Sequence, residues 1–129
     1  MTYTFTRTLP GTAFDAAVER VTEALKQDGF GVLTEIDVQA VLRQKIGAEV
    51  APYRILGACN PTLAHKALTA EPHIGTMLPC NVVVRETDDG TVEVAAVDPA
   101  ASMQAVDNPA LAEIAGEVGG RLKAIVERL

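Results

Sequence analysis

Tryptophan is absent from this chain, and aromatic residues together make up only 4% of it. A core without large rings has to be assembled from Val, Leu, Ile and Ala, and a 48% hydrophobic composition supplies them. No stretch approaches the roughly 20 apolar residues that a membrane-spanning helix requires. The start of the chain, Met1 to Arg7, has neither the basic opening nor the apolar run of a signal peptide, so the expected location is cytoplasmic. Positive charge is also scarce. Eleven Lys and Arg face 17 Asp and Glu, for a net charge of −6 and a pI near 4.8. The cations are scattered, whereas phosphate backbones and anionic membranes are bound by clusters of them. Nucleic acid and membrane are therefore excluded as partners. Two cysteines are too few for a disulfide framework, and in a reducing compartment they are free thiols.

Motifs of familiar chemistry are missing as well. There is no Walker loop and no Gly-x-Ser-x-Gly elbow. Gly29-Phe30-Gly31 precedes a strand pattern and so is not a dinucleotide fingerprint. At 129 residues, the chain is expected to form a single domain over 1–129.

What is present is a legible alternation of periods. Residues 2–9 alternate Thr with Tyr3, Phe5, Arg7 and Leu9, a period-two strand. After Pro10-Gly11, Thr12 is the expected cap of a helix carrying Phe14, Val18, Val21 and Leu25, closed by Gly29. A strand over 30–36 leads to Asp37, the expected cap of a short helix over 38–46 with Val41, Leu42 and Ile46 on its apolar face. A third strand covers 53–58. Asn60-Pro61 then opens a helix in the preferred way, with Asn at the cap and Pro at the first helical position. Residues 70–79 hold two prolines and a glycine and read as a loop or broken turn. Strands over 81–86 and 91–97 flank the hairpin signal Asp89-Gly90, and Asp98-Pro99 ends the pair. Asn108-Pro109 opens a long C-terminal helix, with Leu111, Ile114, Val118, Leu122, Ile125 and Leu129 stepping by three or four. Gly116, Gly119 and Gly120 weaken it, and close packing on a neighbour would explain them. The order β-α-β-α-β-α-β-β-α contains a tight hairpin, so the fold class is α+β, with an antiparallel or mixed sheet and helices on one face.

Chemistry concentrates at two short segments, Gly57-Ala58-Cys59-Asn60-Pro61 and Leu78-Pro79-Cys80-Asn81. Cys59 lies directly before a helix N-terminus, where unpaired N–H groups can lower a thiol pKa; equally, it is a small apolar residue at a strand end. Cys80 faces it if the strands they belong to are neighbours. Cys59, His65, His73 and Cys80 have the ligand types of a metal site but no motif spacing, and no cofactor is expected. Asn60 is accounted for as a cap; Asn81 has no such account. Glu35 and Asp37 are candidate paired carboxylates, or a strand residue and a cap. Lys45 is a candidate anchor for an acidic ligand, and Met77 and Met103 read as packing residues.

The run Gly29-Phe30-Gly31-Val32-Leu33-Thr34-Glu35-Ile36-Asp37, the two cysteine segments with their flanking strands, and Asp98-Pro99 followed by Met103 together resemble the bacterial and archaeal family called domain of unknown function 302. The resemblance covers nearly the whole chain. It implies a fold of the TATA-box-binding-protein-like class, with no DNA-binding claim attached, and a homodimer. It carries no catalytic residues; Cys59, Asn60, Pro61, Cys80 and Asn81 transfer as pattern only. Two functional readings stand. The first is a non-enzymatic, dimeric binding domain holding a small-molecule ligand beside its sheet. The second is a thiol-dependent protein using Cys59 and Cys80 for sulfur transfer, redox sensing or metal capture.

Overall fold

Strand and helix periods along this chain produce two layers. The structure, a computed structural model, describes residues 2–129. Five strands, β1 (Thr4–Leu9), β2 (Gly31–Asp37), β3 (Tyr53–Cys59), β4 (Cys80–Glu86) and β5 (Val92–Val97), form one sheet in the order β1-β5-β4-β3-β2. Every pairing is antiparallel. Helices lie on one side: α1 (Phe14–Gln27), α2 (Val38–Ile46), α3 (Pro61–Ala70), the single turn α4 (Pro99–Ser102) and the C-terminal α5 (Pro109–Glu127). The α+β expectation with a long C-terminal helix holds. Among the described residues no helix is long and apolar enough to cross a membrane.

The caps explain where most helices begin. The side chains of Asp37, Asn60, Asp98 and Asn108 each accept a backbone N–H in the first turn of the helix that follows. Helix α1 departs from expectation, because Ala13 occupies the cap position with no side-chain bond and Thr12 lies one residue too early. The stretch read as a loop contains a 3-10 helix, Pro72–Met77, started by Glu71 and Pro72. Helix α4, not anticipated, uses the same grammar at Asp98-Pro99.

Two apolar clusters fill the layer between sheet and helices. The larger lies under α1 and the C-terminal half of α5, around Leu25, Leu56, Val82, Val94 and Leu122. The smaller joins α3, the 3-10 helix and the N-terminal half of α5 through Ala67, Ile74, Met103, Leu111 and Ala115. Leu78 packs against both. Helix α2 buries nothing: Val41 and Ile46, expected on its inner face, are 40% and 73% exposed.

One backbone position closes the sheet tightly. Gly57 pairs with Thr34 on β2 and Asn81 on β4. A Cβ placed on Gly57 would lie 2.1 Å from the Thr34 Oγ1 and 2.7 Å from the Pro79 Cγ. Only glycine fits there. Within α5, Gly119 packs against Asp98 and Pro99, whereas Gly116 and Gly120 face open space and have no such reason.

These glycines should respond oppositely to alanine. Gly57→Ala is expected to destabilise the fold by about 1–3 kcal/mol through overpacking. Gly116→Ala and Gly120→Ala should each raise stability by up to about 1 kcal/mol from helix propensity. Urea unfolding of the three variants decides the matter, and a neutral Gly57→Ala would contradict the packing described.

Candidate functional site

The register of β3 and β4 brings the cysteine segments together. Ala58 pairs with Cys80 and Gly57 with Asn81, so Cys59, the last residue of β3, ends beside the start of β4. Chain direction then changes at Asn60, whose Oδ1 accepts the Leu63 N–H at 3.1 Å and starts α3. Its amide Nδ2 rests over Gly29, where an added Cβ would approach it to 3.2 Å. Gly29 has a φ of 81°, so its lack of a side chain serves both the turn and this contact.

Cys59, Asn60 and Cys80 line one crevice at the seam of the two apolar clusters. Its walls come from Phe30, from α3, from Leu78, and from α4 and α5 through Met103, Leu111 and Ile114. No charged residue and no histidine lines it. Its free volume is about 30 Å³, far below the roughly 300–1,000 Å³ of small-molecule pockets. The expected small-molecule ligand beside the sheet has no room in this crevice as it stands.

The thiols are not activated. Burial pushes the Cys59 thiol up from its ordinary value. Burial, with a smaller contribution from Cys59, pushes Cys80 up to about 11. Of the two readings of Cys59, an activated thiol at the start of α3 or a small apolar residue at a strand end, the upward shift and its cause, loss of water around the sulfur, agree with the second. Both side chains are free thiols, Cys80 buried and Cys59 half-buried.

The remaining candidates lie elsewhere. His65 and His73 are exposed on α3 and the 3-10 helix, and His73 sits 3.9 Å from Glu71. The four-residue set Cys59, His65, His73 and Cys80 does not assemble: among the described residues no three His, Cys, Asp or Glu side chains are placed to share a metal. Glu35 and Asp37 flank Arg54 at 2.9 and 3.7 Å, and that guanidinium also lies 5.6 Å from the Phe14 ring centroid. They are an ion-paired cluster at the β2–β3 edge and do not line the crevice. Lys45 is exposed on α2, also away from it. Asn81 points to the opposite, uncovered face of the sheet. Met103, expected as a packing residue, adds a third sulfur-bearing wall to the crevice.

The uncovered face has its own order. One row crosses all five strands: Thr6 opposite Ala95, Ala95 opposite Val83, Val83 opposite Ile55, and Ile55 opposite Ile36. Among the described residues, the only charged strand positions on this face are Arg85 and Glu93, joined by a 2.8 Å ion pair. A shallow depression of about 460 Å³ lies over its β1-β5-β4 part.

Comparison with known proteins agrees with this architecture. The family model described as domain of unknown function DUF302 matches residues 5–129. A crystal structure of an uncharacterized conserved protein DUF302 from Bacillus stearothermophilus is similar at 34% identity with a TM-score of 0.91, covering 99% of this chain and 98% of that one. No curated protein matches.

Two measurements follow from the thiol environment. Iodoacetamide at neutral pH should label Cys59 more slowly than a free model thiol, and Cys80 only on unfolding; faster labelling of Cys59 would contradict the burial effect. Alkaline stability should also respond. The unfolded Cys80 thiol ionises near its ordinary value of 9.0, the folded one near 11. Its contribution is therefore fully present below about pH 9 and is lost as the pH climbs to about 11. Cys80→Ala should flatten that part of the stability curve relative to the native chain, and an unchanged slope would count against it.

Proposed function

This chain belongs to the DUF302 family, a family defined without an activity, and from its geometry we propose that it is a non-catalytic interaction domain working as a homodimer through the uncovered face of its sheet. The row Thr6-Ala95-Val83-Ile55-Ile36 carries this reading. A sheet normally buries one face and presents a polar one to water. Here the second face holds half-buried Ile55, Val83, Ala95 and Val97, with Ile36 44% exposed.

Charge favours a second copy as the occupant. The molecule carries −6 overall, so two copies repel over most of their surface. The strands' outer face is the exception, because its one cation and one anion neutralise each other. Its Thr, Ile and Val side chains are β-branched and lose little rotamer freedom when buried. Five strands about 4.8 Å apart and six residues long give a face of roughly 450 Å² in projection. Two such faces approach the ~1,000 Å² expected of a specific interface. A two-fold axis through Val83 would set the same row against itself.

Light scattering at micromolar concentration should return twice the 13.6 kDa chain mass. Val83→Glu, which places a carboxylate from each copy at the centre of the interface, should return the monomer mass with the circular dichroism spectrum unchanged. A monomeric native chain, or a dimer that survives Val83→Glu, would overturn the proposal.

A further inference from the structure

Asn81 belongs to a cysteine segment yet takes no part in the crevice. It stands exposed on the uncovered face of the sheet, two positions before Val83 on β4, and Arg85 stands two positions after it. Strand rise puts each about 6.8 Å from Val83, on opposite flanks of the central row. Arg85 is engaged on one side only. Its Nε donates to Glu93 at 2.8 Å, and among the described residues neither its terminal nitrogens nor the Asn81 amide has a hydrogen-bond partner. Resting on the face-to-face homodimer proposed above, we infer that Asn81 fixes the orientation of the two copies by receiving Arg85 of the other copy.

Aligned sheet packing allows two ways to set this face on itself. Each is a two-fold axis in the plane between the sheets. An axis along β4 sets every residue of that strand against its own copy, so the two Arg85 guanidiniums meet across the interface. Like charges so placed cost affinity. An axis along the row Thr6-Ala95-Val83-Ile55-Ile36 exchanges the two flanks instead. The row Thr8-Glu93-Arg85-Tyr53 then lies over Thr34-Gly57-Asn81 of the other copy. Arg85 faces Asn81 twice in each dimer.

Reach and chemistry fit this second axis. Stacked sheets lie about 10 Å apart, a gap that an extended arginine crosses to meet an amide from the other side. The usual offset of about 30° moves a residue about 6.8 Å from the axis sideways by about 4 Å, which is less than one strand spacing. The Asn81 carbonyl oxygen accepts from the terminal nitrogens that Glu93 leaves free, and a bond from a charged donor is stronger than a neutral one.

The test is the dimer dissociation constant of the whole chain, measured by sedimentation equilibrium at about 0.15 M salt. Asn81→Asp gives Arg85 of the other copy a carboxylate and should tighten the dimer about 5-fold. Asn81→Lys sets two cations together and should loosen it at least about 10-fold. Placed in an Arg85→Gln background, the same two substitutions should lose that ordering or reverse it. Circular dichroism should match the native chain throughout. Loosening by both Asp and Lys, the result of Asn81 facing its own copy, would overturn the orientation while the homodimer stands. Two variants that dimerise like the native chain would overturn it as well. A monomeric native chain would remove the homodimer itself, and the inference with it.

Discussion

The contact on which the rest depends is the absence of a side chain at Gly57. Thr34 from β2 and Pro79 from the approach to β4 both occupy the space a Cβ would need. Because they close over that backbone, β3 is held between its neighbours in one register, with Ala58 opposite Cys80. That register ends β3 and starts β4 at the same place. The two cysteine segments then share a crevice instead of lying on separate surfaces, and the uncovered row from Thr6 to Ile36 runs unbroken across the sheet.

Much of the fold was legible because its punctuation is local. Asp37, Asn60 and Asn108 mark helix starts by satisfying backbone donors a few residues away, and Asp89-Gly90 turns a hairpin within four. The misses are instructive on the same terms. Asp98-Pro99 and Glu71-Pro72 start helices by the same chemistry, but those helices are too short to show an apolar period. Helix α2 shows the opposite failure. Its Val41 and Ile46 have the right spacing for an inner face, yet neither is buried. Periodicity says which residues are apolar together; the layer opposite decides whether they are buried.

The site was less legible, because its determinants are long-range. The meeting of Cys59 and Cys80 required β3 and β4 to be neighbours, which no local signal encodes. For Cys59 the helix end is visible in Asn60-Pro61, but the burial that raises its pKa comes from residues distant in sequence. Glu35 and Asp37 are ion partners of Arg54 across β2 and β3, a pairing no local pattern shows, whereas Lys45 stands exposed on α2. Met103 joined the sulfur cluster through α4, an element with no visible period. A buried thiol, a thioether and an apolar wall read in sequence as ordinary core, and only the fold shows that they line one crevice.

The two layers give the molecule two unlike sides. The helix side holds a small, apolar crevice lined by both cysteines and Met103, and the other side offers a neutral face on an acidic molecule. Gly57 serves both, so the coupling between Gly57 and Thr34 is the most direct probe of the account. A double-mutant cycle of Gly57→Ala and Thr34→Ala, read by urea unfolding, should show the alanine at 57 costing less once the Thr34 hydroxyl is gone, with a coupling of at least about 0.5 kcal/mol. Additive effects of the two substitutions would contradict it.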